Sequence, residues 1–295
     1  MKDENDSARS ANESDDGSKY ERLAYLFFLS RPRFWLYLAG PVLVGVAYAA
    51  SSIDELVSPT AVILFLYFLV PANVFLYGIN DIFDADIDAE NPKKEEREVR
   101  YGGGRVVPVA VAVCAIMGIA IAFALPFSAS IWVLAFLVLA ITYSAPPIRF
   151  KAVPLLDSIS NGLYFMPGAA AYVAIAGGQP PLSAIVGAWF WTMAMHTFSA
   201  IPDIEPDRRA GIRTTATVLR QRGTLAYCAG CWLLSAIAFG LLDLRLGALF
   251  AIYPALVGWI AVSGVDVDRA YWWFPWINGS VGAVFTMGGL WLLVG

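Results

Sequence analysis

Nine apolar stretches recur along this chain, and they limit what it can fold into more than any other feature. A helix needs ~20 mostly apolar residues to cross the hydrocarbon core of a bilayer. Hydrophobic residues make up 58% of the 295 and charged residues only 15%, whereas soluble chains carry about 25% charge. We therefore predict an all-α, polytopic membrane protein with nine transmembrane helices in one bundle. The stretches are 25–50, 60–80, 106–125, 129–145, 155–176, 183–202, 224–242, 245–263 and 274–294.

Residues 1–20 differ from the rest, because they contain almost no apolar side chain and an excess of acids. Low hydrophobicity with high charge predicts a disordered tail, and the apolar centre of a signal peptide is missing from it. We thus expect two parts, a disordered acidic tail over 1–20 and a membrane domain over 21–295. The net charge of −4 gives no indication of a nucleic-acid partner, and none is expected.

The basic residues fall almost entirely on one side of the predicted bundle. If the nine helices alternate in direction, 19 of the 20 lysine and arginine residues lie at the same end, and Arg245 is the exception. The positive-inside rule makes that end cytoplasmic. The expected location is the cell membrane, with a multi-pass topology. The cytoplasmic segments would be the N-terminal segment and the loops 81–105, 146–154, 203–223 and 264–273.

The end of the second stretch carries a stripe of polar side chains on one helical face, if residues follow each other at about 100°. Carboxylates at membrane depth are costly unless they face a wet cavity or a partner. Oxygen ligands of this kind suit Mg²⁺, which commonly bridges carboxylates to substrate phosphates. The alternative is a solvated helix end that pairs with Lys93, Lys94 and Arg97. The stripe consists of Asn73, Tyr77, Asn80, Asp81, Asp84 and Asp88, whereas Asp86 points the other way.

A second acidic segment follows the sixth stretch, where Asp203 and Asp207 are spaced four apart. Pro206 between them predicts irregular backbone. Arginines follow at once, and a guanidinium can bind two phosphate oxygens together. A plain loop of mixed charge is the alternative. Two acidic clusters on one side, each flanked by bases, form the combination that Mg²⁺ and a diphosphate require.

The only histidine, His196, lies seven residues before Asp203, on the same face of the predicted helix. It could line a cavity, and a structural hydrogen bond explains it equally well. With one histidine and no suitably placed cysteine, a zinc site is not expected.

Three motifs resemble those of the UbiA-type superfamily of intramembrane prenyltransferases. The pattern NDxxDxxxD is present as Asn80–Asp88, DxxxD as Asp203–Asp207, and YSxPPxRxK as Tyr143–Lys151. They occur in the family's order on the same predicted side, and the resemblance extends over about 270 residues of the chain. One departure is residues 91–94, which read Asn-Pro-Lys-Lys where many members have Asn-x-x-Arg-Pro.

The resemblance implies a nine-helix bundle with a central cavity and Mg²⁺-dependent transfer of a prenyl group from a diphosphate donor. The metal would neutralise the departing diphosphate. By resemblance, the metal-binding and catalytic residues are Asp81, Asp84, Asp203 and Asp207. The expected substrate-binding residues are Asn73, Tyr77, Asn80, Asp88, Tyr143, Arg149, Lys151, Arg208 and Arg213. Aromatic side chains would shield the allylic cation, and the candidates are Tyr77, Tyr143, Tyr164, Phe165 and Trp191.

Residues 201–217 resemble one branch of this superfamily, the lycopene elongases of C50 carotenoid synthesis, including the elongase/hydratases of the bacterioruberin pathway. That likeness implies dimethylallyl diphosphate as donor and the apolar polyene lycopene as acceptor, with the product cation either hydrated or deprotonated. Geranylgeranylglyceryl phosphate in ether-lipid synthesis, or a quinone precursor, remains an alternative acceptor. A transporter is the alternative from another class, and acids at one end of the helices instead of the midplane disfavour it.

Overall fold

The computed structural model describes residues 24–88 and 103–294, and for residues 85–88 the backbone alone. The described chain is helical and contains no β-strand. This follows from the apolar sequence, because a backbone surrounded by lipid must satisfy its hydrogen bonds within each segment. The predicted tail over 1–20, the bases Lys93, Lys94 and Arg97, and residues 91–94 lie outside the described residues.

The described residues form short helices at the bundle ends and long ones between them. In chain order the α-helices are α1 (24–29), α2 (Trp35–Ala49), α3 (Ile53–Leu56), α4 (Pro59–Leu69), α5 (Pro71–Asp88), α6 (Val106–Ala124), α7 (Phe127–Ser144), α8 (Leu156–Ile159), α9 (Met166–Ala176), α10 (Leu182–Ser199), α11 (Ile204–Arg209), α12 (Thr215–Gly240), α13 (Leu244–Phe250), α14 (Ile252–Ser263), α15 (Val267–Tyr271) and α16 (Phe274–Val294). Four 3₁₀ turns separate some of them, at Pro32–Phe34, Phe150–Ala152, Ser160–Tyr164 and Ile201–Asp203.

Seven of the nine predicted stretches form helical segments long and apolar enough to cross a membrane, within the described residues. The other two are interrupted. The stretch 25–50 breaks at the turn Pro32–Phe34, and the stretch 155–176 consists of α8, the turn Ser160–Tyr164 and the 11-residue α9. The all-α membrane class is therefore confirmed, whereas the count of nine spans is not.

The two interrupted stretches pack against each other backbone to backbone. A Cβ atom at Gly45 of α2 would overlap the carbonyl oxygen of Gly168 in α9, and one at Gly168 would lie 2.5 Å from the Pro41 oxygen. Membrane helices approach this closely only where small residues face each other. The short α9 is thus held against α2, and the turn Ser160–Tyr164 directly precedes it.

Two apolar clusters form the interior of the bundle. One is built from the helices before Ala176 and the other from the helices after Leu182. Large apolar side chains also point outward, among them Phe123, which is 86% exposed, and Trp276, which is 82% exposed. An apolar exterior of this kind suits lipid contact, because a soluble monomer rarely exposes so much apolar surface.

Candidate active site

The last turns of α5 carry buried carboxylates that are each paired with a base. Asp81 is 3% exposed, and one of its carboxylate oxygens lies 3.2 Å from Nη2 of Arg31. Asp84 is 8% exposed and forms ion pairs with Arg149, at 2.9 Å, and with Lys151. Burying a carboxylate costs free energy unless a cation or a set of hydrogen bonds compensates for it. The bases provide that compensation here.

Asn80 joins the first acidic segment to the segment that follows α7. Its Oδ1 accepts a hydrogen bond from Nζ of Lys151 at 3.0 Å and another from the hydroxyl of Ser144 at 3.1 Å. The motif Tyr143–Lys151 therefore lies directly against the motif Asn80–Asp88. Residues from two distant parts of the sequence share one polar cluster.

Two of the bases are held by unusual backbone conformations. Arg31 has a φ of 50° and Arg149 a φ of 43°, both in the left-handed region that L residues rarely adopt. Each precedes a 3₁₀ turn. The Arg31 guanidinium also lies over the ring of Tyr77, 4.4 Å from its centroid, where cation–π attraction adds to the ion pair. Backbone strain of this kind is common where a side chain is aimed at a functional site.

The second acidic segment is only partly as predicted. α10 ends at Ser199, the 3₁₀ turn Ile201–Asp203 follows, and α11 then begins at Ile204. The backbone is irregular at this turn, but the expectation of irregularity around Pro206 is wrong. Pro206 lies in the first turn of α11, where a missing N–H removes no helical hydrogen bond. α10 ends before Asp203, so His196 and Asp203 are joined through the 3₁₀ turn and not by one regular α-helix, and their sharing of a helical face stays a prediction.

The buried carboxylate of Asp157 connects the segment that follows Arg149 and Lys151 to the start of α12. Asp157, 1% exposed, accepts a hydrogen bond from the backbone N–H of Thr215 at 2.8 Å and another from its hydroxyl. The same hydroxyl oxygen accepts a hydrogen bond from the N–H of Leu155 at 2.7 Å. The segment carrying the bases thus contacts the start of α12, a few residues after Asp207.

Further contacts place both acidic segments at the same end of the bundle. The hydroxyl of Tyr143, at the end of α7, lies 3.2 Å from Nε2 of His196 near the end of α10. Arg33 stacks on the ring of Trp272 at 3.8 Å, and α15 just before this ring packs against the turn Ile201–Asp203. The N-terminal segment and the two acidic segments therefore meet at one end.

The structure places the remaining predicted residues differently from one another. The Asn73 amide donates to the carbonyls of Phe68 and Leu69, both at 3.0 Å, and so satisfies the end of α4. Arg208 and Arg213 are exposed, and Arg208 pairs with Glu205 at 3.4 Å. Asp203 and Asp207 are partly exposed, and the side chain of Asp88 lies outside the described residues. The ring of Phe165 packs on those of Trp132 and Trp189, and the ring of Trp191 packs on that of Tyr253.

The donor chemistry of this cluster fits a divalent cation bound together with an anion. Asp81 and Asp84 lie three residues apart on α5 and supply carboxylate oxygens, the ligand type that Mg²⁺ prefers. Nε of Arg149 is buried without a hydrogen-bond partner, a costly state that an anionic oxygen would relieve. No three acidic, histidine or cysteine side chains converge to hold a metal among the described residues.

Arg31 was missed by the sequence analysis, as were Ser144, Asp157 and Thr215. Arg31 lies at the start of the first apolar stretch, 50 residues from Asp81, and no periodicity links the two positions. The only available signal was a charged residue directly before a proline, which predicts a break in a helix. Asp157 within an apolar stretch was the other signal, because a buried acid requires a partner.

We expect Arg31→Met to destabilise the protein by about 3 kcal/mol, because removing one charge of a buried ion pair leaves the other buried charge less well compensated. The side chains of Arg31 and Asp81 are only 17% and 4% exposed. Asp81→Asn combined with Arg31→Met should recover part of the loss. Thermal unfolding of the single and double variants in detergent measures this coupling, and strictly additive effects would show that the pair contributes nothing.

Comparison with known proteins places these features in a family. The sequence matches the UbiA prenyltransferase family over residues 38–269. It is 61% identical to a lycopene elongase/hydratase of Haloferax volcanii over 95% of this chain and 93% of that protein. It is also 61% identical to a lycopene elongase/hydratase of Halobacterium salinarum over 92% of this chain and 98% of the relative.

Solved structures agree on the fold. A UbiA homologue from Archaeoglobus fulgidus bound to DMAPP and Mg²⁺ superposes with a TM-score of 0.72 at 22% identity, over 92% of this chain and 99% of that one. At this level of identity the likeness is one of fold.

Proposed function

Because the chain belongs to the UbiA prenyltransferase family, we propose that it transfers a C5 prenyl group from dimethylallyl diphosphate to the end of lycopene. The proposed reaction finishes with the addition of water to the product cation. The observation that carries this proposal is the 61% identity, over nearly the whole chain, to relatives named lycopene elongase/hydratase. The protein is thus a multi-pass membrane prenyltransferase, and what we propose is the identity of its acceptor.

In this proposal the polar cluster at the end of α5 binds the diphosphate. Arg149 and Lys151 would exchange their ion pairs with Asp84 for diphosphate oxygens, and the buried Nε of Arg149 would gain an acceptor. This exchange would release the carboxylate of Asp84, which would hold Mg²⁺ together with Asp81, Asp203 and Asp207. The bound metal would neutralise the charge that develops on the leaving diphosphate.

The chain's aromatic residues would protect the allylic cation. The C–O bond to diphosphate breaks, and the terminal double bond of lycopene supplies the electrons for the new C–C bond, which leaves a tertiary cation on the acceptor. Tyr77 is nearly buried beside Arg31, and the ring of Tyr164 lies 6.5 Å from that of Tyr37. Such side chains exclude water and attract positive charge through their faces.

We further propose that the acidic segments face the cytoplasm. The support is the distribution of Lys and Arg in the sequence, where 19 of 20 fall in the segments predicted to lie on the cytoplasmic side. Dimethylallyl diphosphate, which is charged, would then reach the site from the cytoplasm. The acceptor, which is apolar, would enter from the bilayer.

The test uses purified protein in liposomes that contain lycopene, to which dimethylallyl diphosphate and Mg²⁺ are added. We expect pigments heavier by one or two C5 units, and release of diphosphate in step with them. Chelation of Mg²⁺ should lower the rate at least about a hundredfold, and excess Mg²⁺ should restore it. An unchanged pigment, with prenylation of geranylgeranylglyceryl phosphate or a quinone precursor in parallel assays, would overturn the proposed acceptor.

A further inference from the structure

His196, the only histidine in the sequence, lies between the two acidic segments. Its Nε2 is 3.2 Å from the hydroxyl oxygen of Tyr143. The next residue, Ser144, donates a hydrogen bond to Asn80 in the first acidic segment. In the other direction, α10 ends three residues beyond His196, and the turn that contains Asp203 follows. The imidazole thus contacts the end of α7, whose next residue contacts the cluster that would hold the diphosphate.

One nitrogen of this imidazole remains available. Nδ1 has no hydrogen-bond partner among the described residues. It differs from Nε1 of Trp191, which is fully buried and also has no partner. His196 is partly exposed, although Met195 and Thr197 on either side of it are buried. If Nε2 carries the ring proton and donates to Tyr143, Nδ1 keeps its lone pair and can accept a hydrogen bond.

We propose that His196 is the general base that directs water onto the carbocation formed after prenyl transfer, an inference that rests on the proposed function. A lone pair of the water oxygen forms the C–O bond to the tertiary cationic carbon. The O–H bond then breaks, and its proton goes to Nδ1 of His196. The product is a tertiary alcohol, and the imidazolium returns its proton to solvent before the next turnover.

The other groups at the site are less suited to this role. Asp81 and Asp84 are paired with bases, and in the proposed function they are needed for the metal. Asp157 is buried and accepts two hydrogen bonds from Thr215. A neutral imidazole can take a proton from water without adding a charge to the resting site, and histidine is the side chain most often used in this way. Tyr143 is the positioning residue, because its hydroxyl fixes the orientation of the ring.

The inference predicts a change in product ratio instead of a loss of all activity. When water is not directed onto the cation, the cation loses a proton from a neighbouring carbon to the departed diphosphate and becomes an alkene. We expect His196→Gln to lower the ratio of hydroxylated to dehydrated elongated products at least about tenfold. Tyr143→Phe keeps the base but removes its hydrogen bond, and should lower the ratio about fivefold.

The experiment compares wild type, His196→Gln and Tyr143→Phe in liposomes with lycopene, dimethylallyl diphosphate and Mg²⁺, and measures pigment masses. The ratio is taken among elongated molecules only, so it does not depend on how much of each variant folds. Wild-type ratios in both variants would overturn the inference, and so would a wild-type ratio in Tyr143→Phe if His196→Gln gives no protein. Elongation without any hydroxylated product in wild type would overturn it while leaving prenyl transfer intact, whereas no elongation at all would overturn the proposed function itself.

Discussion

Replacing Asp84 with asparagine is expected to lower the rate of prenyl transfer by about a hundred- to a thousandfold, the cost of losing one electrostatic group in an active site. Asp84 contacts both Arg149 and Lys151, and in the proposed reaction it holds the metal that assists departure of the diphosphate. The lost charge should lower the stability, as at Arg31, but asparagine has nearly the same size and can still accept hydrogen bonds from both bases, so the fold should persist. Diphosphate release by purified protein measures the rate, and size-exclusion chromatography in detergent reports folding.

Glu205→Gln is the matched control for this charge removal. Glu205 lies in the second acidic segment, between Asp203 and Asp207, but its side chain is 66% exposed and pairs with the exposed Arg208. A surface pair of this kind contributes little, so the control should retain wild-type turnover. Normal turnover by folded Asp84→Asn would exclude the Asp84 carboxylate from the reaction, and the proposed four-carboxylate metal site would then have to be abandoned.

The second large effect concerns the backbone contact between α2 and α9. We expect Gly45→Ala to destabilise the protein by roughly 3 kcal/mol or more, because overpacking against a rigid neighbour forces the backbones apart. The added methyl group would overlap the carbonyl oxygen of Gly168, which cannot move independently of its helix. Thermal unfolding in detergent, or loss of the monodisperse chromatographic peak, measures the effect.

Gly40→Ala provides the comparison on the same helix. A Cβ atom at Gly40 would meet nothing within 4 Å, and alanine is favoured over glycine in a helix by roughly 0.5–1 kcal/mol. This variant should therefore be at least as stable as wild type. Equal stability of the two variants would mean that α2 and α9 do not approach as closely as described.

Helical periodicity explains why the first acidic segment could be predicted from the sequence. Residues three and four apart in a helix share a face, so Asn80, Asp81 and Asp84 had to face the same way once α5 was recognised. The resemblance to known motifs added Arg149 and Lys151, which the structure brings to Asp84 and Asn80. Periodicity acts over short distances, whereas Arg149 and Lys151 are 65 and 67 residues from Asp84 and were identified only through the resemblance to known motifs.

The interruptions in two of the apolar stretches could not be predicted in the same way. Hydropathy reports how apolar a segment is on average, and the segments 25–50 and 155–176 are apolar on average even though Arg31 and Arg33 lie at the first break and Ser160 and Asn161 at the second. Where the backbone turns depends on tertiary contacts, such as those of Arg31 with Asp81 and of Asp157 with Thr215. These pairs are 50 and 58 residues apart, and a single sequence contains no signal that joins them.

The pairing of two carboxylates on α5 with three bases has a consequence for the order in which the substrates arrive. Arg31, Arg149 and Lys151 already pair with the carboxylates of Asp81 and Asp84, so a metal ion that arrived alone would have to displace these bases. A solitary divalent ion offers the displaced bases no new partner, whereas a diphosphate that already carries its magnesium would bring negative oxygens to them. Metal and donor would then enter as one complex, and occupancy by the metal would rise with donor concentration.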